Sequence, residues 1–271
     1  MTTAEPQSAQ QTTRTGRQHS GPRQPALRVE IWSDIACPFC YLGKARFEQA
    51  LAAFPQRDSV EVVHRSFELD PSRAADDRVE VLDMLARKYG MSREQALANE
   101  RRIAAQAAEL GLGYRAEGRD SAGTFDMHRL LHFAAAQPDG AARQDALLSA
   151  LYRANFAEEE SLYGGTERLV ALAEQAGLDP EAARAVLADP AAYAEEVRAD
   201  EREAAALGVT GVPFFVLDRK YGISGAQPVE VFAQGLAQAW SERTPVLTPL
   251  NASDPEADAC GPDGCAVPPR A

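Results

Sequence analysis

The sequence predicts an α/β protein in which a compact sheet-and-helix unit is interrupted by a large all-helical insertion domain. Three observations lead there. Two strand-like stretches flank a helix at residues 27–71, two more strands and a helix fill residues 208–242, and the Ala-rich segment 72–207 between them carries repeated helix start and stop signals.

Taken in order, residues 1–26 are rich in Gln, Thr, Ser and Arg and read as a disordered arm. They lack an apolar h-region, so no secretory signal is expected. Leu27–Asp34 alternates apolar and polar residues with β-branched members, a strand pattern. After Cys37-Pro-Phe-Cys40, a helix is expected with Leu42, Phe47, Ala50, Leu51 and Phe54 as its apolar stripe, and Pro38 suits its first turn. Val60–Phe67 is the second strand. Within 72–207 six or seven helices are expected. Ser92 and Gln95 fit a capping box, and Gly111 and Gly177 stand where helices end. Asp179-Pro180 and Asp189-Pro190 each place an N-cap before a first-turn proline. Strands return at Pro213–Leu217 and Tyr221–Ser224, and Pro228–Trp240 puts Val229, Phe232, Leu236 and Trp240 on one helical face.

The order βαβ, helices, ββα is that of a thioredoxin fold. Residues 27–71 and 208–242 are then its two pieces, 72–207 the helical insertion domain, and 243–271, with six Pro and four acidic residues, a flexible tail.

Composition narrows the function. The 28 basic and 40 acidic residues leave a net charge of −12, which argues against a nucleic-acid partner because phosphate binding needs clustered Lys and Arg. No apolar run is long enough for a membrane span. A cytoplasmic location follows as the expectation, and there structural disulfides are rare. Yet the four cysteines form two close pairs, Cys37/Cys40 and Cys260/Cys265, which points to redox chemistry or metal.

Cys37-Pro-Phe-Cys40 between a strand and a helix is the strongest signal. A helix N-terminus carries unpaired N–H groups and partial positive charge, which favour a thiolate. Cys37 would be the exposed nucleophile there, and Cys40, one turn deeper, would resolve a mixed disulfide. The spacing also serves half a zinc site or two buried thiols; the strand before and the helix after favour redox use. Gly208–Pro213, just before a strand, is the second signal. In a thioredoxin fold a cis-proline at this point faces the cysteine pair, so Pro213 is expected cis and Val212 is expected to offer its backbone to substrate.

Ser33-Asp-Ile-Ala-Cys-Pro-Phe-Cys-Tyr-Leu-Gly-Lys44, Gly211-Val-Pro-Phe-Phe-Val216 and Ile223-Ser-Gly-Ala-Gln-Pro228 resemble the DsbA family of thiol–disulfide oxidoreductases, most closely its cytoplasmic FrnE-like branch. The resemblance covers residues 27–242. Thr124-Phe-Asp-Met-His-Arg-Leu130 is similar to that branch's insertion motif, and Cys260-Gly-Pro-Asp-Gly-Cys265 to a second C-x4-C pair found in some members. It implies dithiol–disulfide exchange as a protein disulfide oxidoreductase or isomerase, with Cys37 and Cys40 catalytic. Substrate contacts would come from Pro38, Phe39, Val212, Pro213 and His128, and Cys260/Cys265 would be an accessory redox pair. Partners would be protein thiols and disulfides or small thiols. No metal, flavin or nicotinamide is required, with glutathione a candidate electron partner. The oligomeric state is left open.

Two rival readings stand beside this one. The same lineage holds glutathione-dependent 2-hydroxychromene-2-carboxylate isomerases and kappa-class transferases, in which a Ser typically replaces the first Cys; some relatives sit in polyketide metabolism. A zinc cage built from all four cysteines is the second. Of the remaining residues, His128 and His132 lie one turn apart on a helix and read as core or cleft-lining rather than as metal ligands. Asp34 is expected to order its turn through backbone N–H groups, with an influence on Cys40 deprotonation as the alternative. The tail spans 19 residues from Ser241 to Cys260, about 60 Å when extended at roughly 3.3 Å per residue, so a relay to Cys37 is within reach.

Overall fold

The computed structural model describes residues 26–243, and Cys260 and Cys265 lie outside them. Strand β1 (Leu27–Ser33) leads into helix α1 (Pro38–Ala53) and strand β2 (Val60–Ser66). Next come β3 (Val79–Glu80), α2 (Val81–Tyr89), α3 (Arg93–Glu109) and β4 (Asp120–Ser121). The helices α4 (Phe125–Ala135), α5 (Gly140–Phe156), α6 (Thr166–Gln175), α7 (Pro180–Ala188) and α8 (Ala194–Ala206) follow. Strands β5 (Phe214–Leu217) and β6 (Tyr221–Ser224) and helix α9 (Val229–Ser241) complete the order.

The main sheet has the order β2-β1-β5-β6, with β1 parallel to β2 and antiparallel to β5. Ile31 pairs with His64 on one side and Phe215 on the other. One face of the sheet packs Val29, Ile31, Phe215 and Leu217 against Phe47 of α1 and Phe232 of α9. The Phe215 and Phe232 rings meet edge to face at 4.6 Å, a geometry worth about 0.5–1.5 kcal/mol beyond the area buried.

The alternation in β1 describes a strand with one wet face, but Glu30 and Trp32 on that second face are also buried. Helix α8 covers it. Trp32 packs with Ala204 and donates its indole N–H to the Asp200 carbonyl at 2.9 Å. Asp200 accepts from Arg65 Nη1 (2.9 Å) and from the Ser66 N–H (2.9 Å), while Arg65 Nη2 donates to Glu30 at 2.6 Å. A buried strand therefore tolerates its carboxylate because three arginines, Arg28, Arg65 and Arg219, are brought to it.

Helix α1 packs against three neighbours: Phe47 and Ala50 face the sheet, Tyr41 stacks on Phe156 of α5, and Leu42 meets Ile103 of α3. Residues 81–206 hold seven helices. The capping box at Ser92 and Gln95 forms, Asp179 caps α7, and Gly111 and Gly177 take φ of +73° and +80° just past α3 and α6. Two features depart from the sequence pattern. The helical segment also holds the short β3–β4 pair. Asp189-Pro190 starts no helix; Asp189 ends α7, and α8 begins only at Ala194. Arg129 explains the break, since its Nη1 collects the carbonyls of Val186, Asp189 and Ala192 at 2.7–3.1 Å and holds that stretch in a turn. No helix among the described residues is long and apolar enough to cross a membrane.

Candidate active site

The chain leaves β1 through Asp34-Ile-Ala and turns at Cys37, whose N–H donates to the Asp34 carbonyl at 3.1 Å. Cys37 is the N-cap of α1, with extended backbone (φ −88°, ψ 113°) and Pro38 immediately after it. The Cys37 carbonyl receives the Cys40 N–H at 3.1 Å, so one helical turn sets the two thiols together. Both are free. Cys37 is more enclosed than its helix-end position implies: it is 4% exposed, and its Sγ lies 3.6 Å from the Val212 carbonyl. Val212 packs against the cluster that holds both cysteines. The thiol is reached through a cavity of about 1180 Å³, which Cys37, Pro38, Phe39 and Val212 all line.

The Val212–Pro213 peptide bond is cis. A Cβ built on Gly43 would approach Pro213 Cγ to 3.0 Å. Glycine at this position on α1 is what lets the proline loop settle beside the cysteine turn, a requirement that the sequence motif contains but its chemistry does not announce.

Cys40 is 1% exposed and accepts the Asp34 N–H at 3.5 Å. Burial pushes its thiol well above the usual range, reinforced by its hydrogen bond and charge interaction with Cys37 and by the Asp34 carboxylate, against the weaker opposing pull of the Asp34 N–H. The buried thiol is thereby held protonated. Asp34 itself accepts the Leu69 N–H at 2.7 Å and the Ala36 N–H at 3.2 Å, which is the turn-ordering role expected of it. Burial raises its pKa, but His128 and the Leu69 N–H outweigh burial and hold the carboxyl below its ordinary value.

His128 is placed differently from its expectation as a cleft-lining substrate contact. It is 1% exposed, its Nε2 stands 3.5 Å from Asp34 Oδ1, and it lies behind Asp34 instead of on the cavity wall. The apolar neighbours on α4 draw that helix face into the core and carry the imidazole with it. His132, one turn on, belongs to other partners, Asp200 Oδ2 and Ser66 Oγ, each at 3.1 Å. Leu69 is the site residue that sequence reasoning misses, because its N–H reaches Asp34 from 35 residues away.

A thioredoxin-type sheet, a dithiol at the first turn of α1 and a cis-proline loop facing it define a dithiol protein of the thioredoxin class. Residues 28–237 match the DSBA-like thioredoxin domain, and the chain belongs to that family. It is similar to the crystal structure of a probable DsbA oxidoreductase from Streptomyces coelicolor, with 67% identity, a TM-score of 0.77, and coverage of 90% of this chain and all of that one. A 2-hydroxychromene-2-carboxylate isomerase structure shares the fold at 16% identity and a TM-score of 0.52, covering 79% of this chain and 97% of that one. Among curated proteins, the uncharacterized YwbO of Bacillus subtilis (strain 168) is 44% identical over 46 residues, which span 17% of this chain and only 21% of that protein.

Proposed function

We propose that this chain is a cytoplasmic thiol–disulfide oxidoreductase or isomerase of the FrnE-like branch, working on protein disulfides through Cys37 and Cys40. The observation that carries the reading is the placement of Cys37 Sγ at the first turn of α1, 3.6 Å from the Val212 carbonyl and open to a cavity large enough for a peptide. In the reductive direction the Cys37 thiolate attacks one sulfur of a substrate disulfide. A Cys37–substrate disulfide forms and one substrate thiolate leaves. Cys40 then loses its proton and attacks Cys37 Sγ, giving the Cys37–Cys40 disulfide and the second substrate thiolate. Two electrons pass from the dithiol to the substrate; oxidation of a substrate is the same sequence reversed. Val212, before the cis bond, supplies main-chain groups for an extended substrate, and Pro38 and Phe39 form the floor beside the nucleophile. The reading needs no redox group besides the thiols, and glutathione serves as their electron partner. Which direction prevails depends on the potential of the pair.

Reduction of insulin disulfides by the wild type, Cys37→Ser and Cys40→Ser variants tests the reading. The expected result is loss of turnover in both variants, with a substrate-linked species accumulating only in Cys40→Ser. Turnover that persists in Cys37→Ser overturns it. Glutathione-dependent isomerisation of an aromatic substrate that survives in that variant would place the chain with the isomerases instead.

A further inference from the structure

The cavity that opens at Cys37 continues away from the dithiol, between the stretch after β2 and the α2–α3 pair. Its wall combines charged residues with an unusual share of exposed apolar surface. Five large hydrophobic side chains stand exposed among the described residues, and three of them line this one cavity: Phe39 at 46%, Leu69 at 41% and Tyr89 at 60%. Exposed apolar surface gathered around a nucleophile marks a binding surface. Met84 and Met91 extend the wall, and flexible thioethers repack around apolar groups of varied shape.

Charge adds a second, independent feature. Arg87, Lys88 and Arg102 line the same cavity, and none of the three forms an ion pair with a described residue. Arg87 reaches the Asp83 carbonyl at 3.4 Å, Arg102 donates to the Asn99 side chain, and Lys88 stands 5.8 Å from the Tyr89 ring and acts on Asp70 only at longer range. The carboxylates of the wall are already engaged: Asp70 and Asp77 with Arg73, Glu100 with Arg119, and Asp34 with His128 and the Leu69 N–H. In a chain of net charge −12, three uncommitted cations beside an apolar wall complement a ligand that is both apolar and anionic.

We propose that the α2–α3 side of this groove docks polypeptide segments and selects disulfides whose flanking residues are apolar and acidic. The inference rests on the disulfide-exchange reading above and assigns its substrate class. A groove of about 1180 Å³ has room for several side chains of a bound segment, and its exposed apolar residues and unpaired cations give such a segment both kinds of contact. Apolar side chains of the segment lie against Phe39, Leu69 and Tyr89, while its carboxylates meet Arg87, Lys88 and Arg102. The covalent step remains the attack of Cys37 on the bound disulfide.

Two short peptides test this. Both carry Leu and Phe around one cysteine that is disulfide-bonded to thionitrobenzoate, and they differ only in Glu or Lys flanks. Attack of the Cys37 thiolate on the peptide sulfur releases the coloured thionitrobenzoate and leaves the peptide on Cys37, so the release rate reports docking and exchange together. At low salt the acidic peptide is expected to react about tenfold faster than the basic one, a preference that shrinks as salt rises. In the Arg87→Glu/Lys88→Glu/Arg102→Glu variant the ratio of the two rates should fall below one. Because the ratio is taken within one protein, a general loss of activity cancels. A wild-type ratio near or below one, or a preference that survives the charge reversal, overturns the docking inference and leaves the exchange reading intact. No release from either peptide by the wild type overturns both.

Discussion

Cys40 and Asp34 show how burial assigns different duties to groups a few residues apart. Cys40 is sealed and its thiol raised, which holds it in the protonated form. In a Cys37→Ser variant, alkylation of Cys40 by iodoacetamide is expected to stay slow up to pH 9, as followed by mass spectrometry. Rapid labelling at neutral pH would contradict the burial argument. Asp34 is shifted the other way, below its ordinary value. A carboxyl depressed in the folded state stabilises fully above its unfolded pKa of about 3.9, and that contribution drains as pH falls through the folded value. Asp34→Asn should therefore cost about 1–3 kcal/mol at pH 7, and the gap to wild type should narrow toward pH 3 in denaturant titrations. A gap that stays constant with pH would show that the carboxylate charge contributes nothing. The geometry of this site, two thiols one turn apart beside a cis Val212–Pro213 bond, was legible in the cysteine spacing and the Val-Pro dipeptide. The partners of Asp34 were not, since Leu69 and His128 are distant in sequence and come to it only through the fold.

Elements meet here through small tolerances. Helix α1 passes the proline loop at Gly43, where any side chain would crowd Pro213. Gly43→Val is expected to cost about 1–3 kcal/mol through overpacking and to slow mixed-disulfide formation, as seen by thermal melting together with exchange rates. Unchanged melting would mean that the loop yields freely. The local signals that hold are those completed within one turn: the Ser92–Gln95 box and the Asp179-Pro180 start close on themselves. Asp189-Pro190 carries the same dipeptide yet fails, because Arg129 of α4 claims the surrounding carbonyls from about sixty residues away. The β3–β4 pair has two residues in each strand, too few for any alternation to register. Local grammar holds until a long-range donor or a very short element enters.

Across the whole molecule, the sheet and the inserted helices are joined at Asp200, which ties α8 to Arg65, Ser66 and His132. Asp200→Ala removes one side of a buried charge network and should destabilise by about 3–5 kcal/mol, measured by chemical denaturation. A loss below 1 kcal/mol would show that the apolar contacts of Trp32 alone hold α8 in place. The element order of the thioredoxin fold was readable from hydrophobic period, but this seam was not, because Arg65, His132 and Asp200 are far apart in sequence and meet only through the fold. The seam also carries its own optical gauge. The chain has two tryptophans: Trp32 is fully enclosed beneath α8, while Trp240 lies against Phe54 at the far side of the sheet. Lifting α8 would expose the first indole to water and leave the second untouched. Fluorescence from a Trp240→Phe protein would then follow the seam by itself, a red-shift marking the moment that the helices part from the sheet.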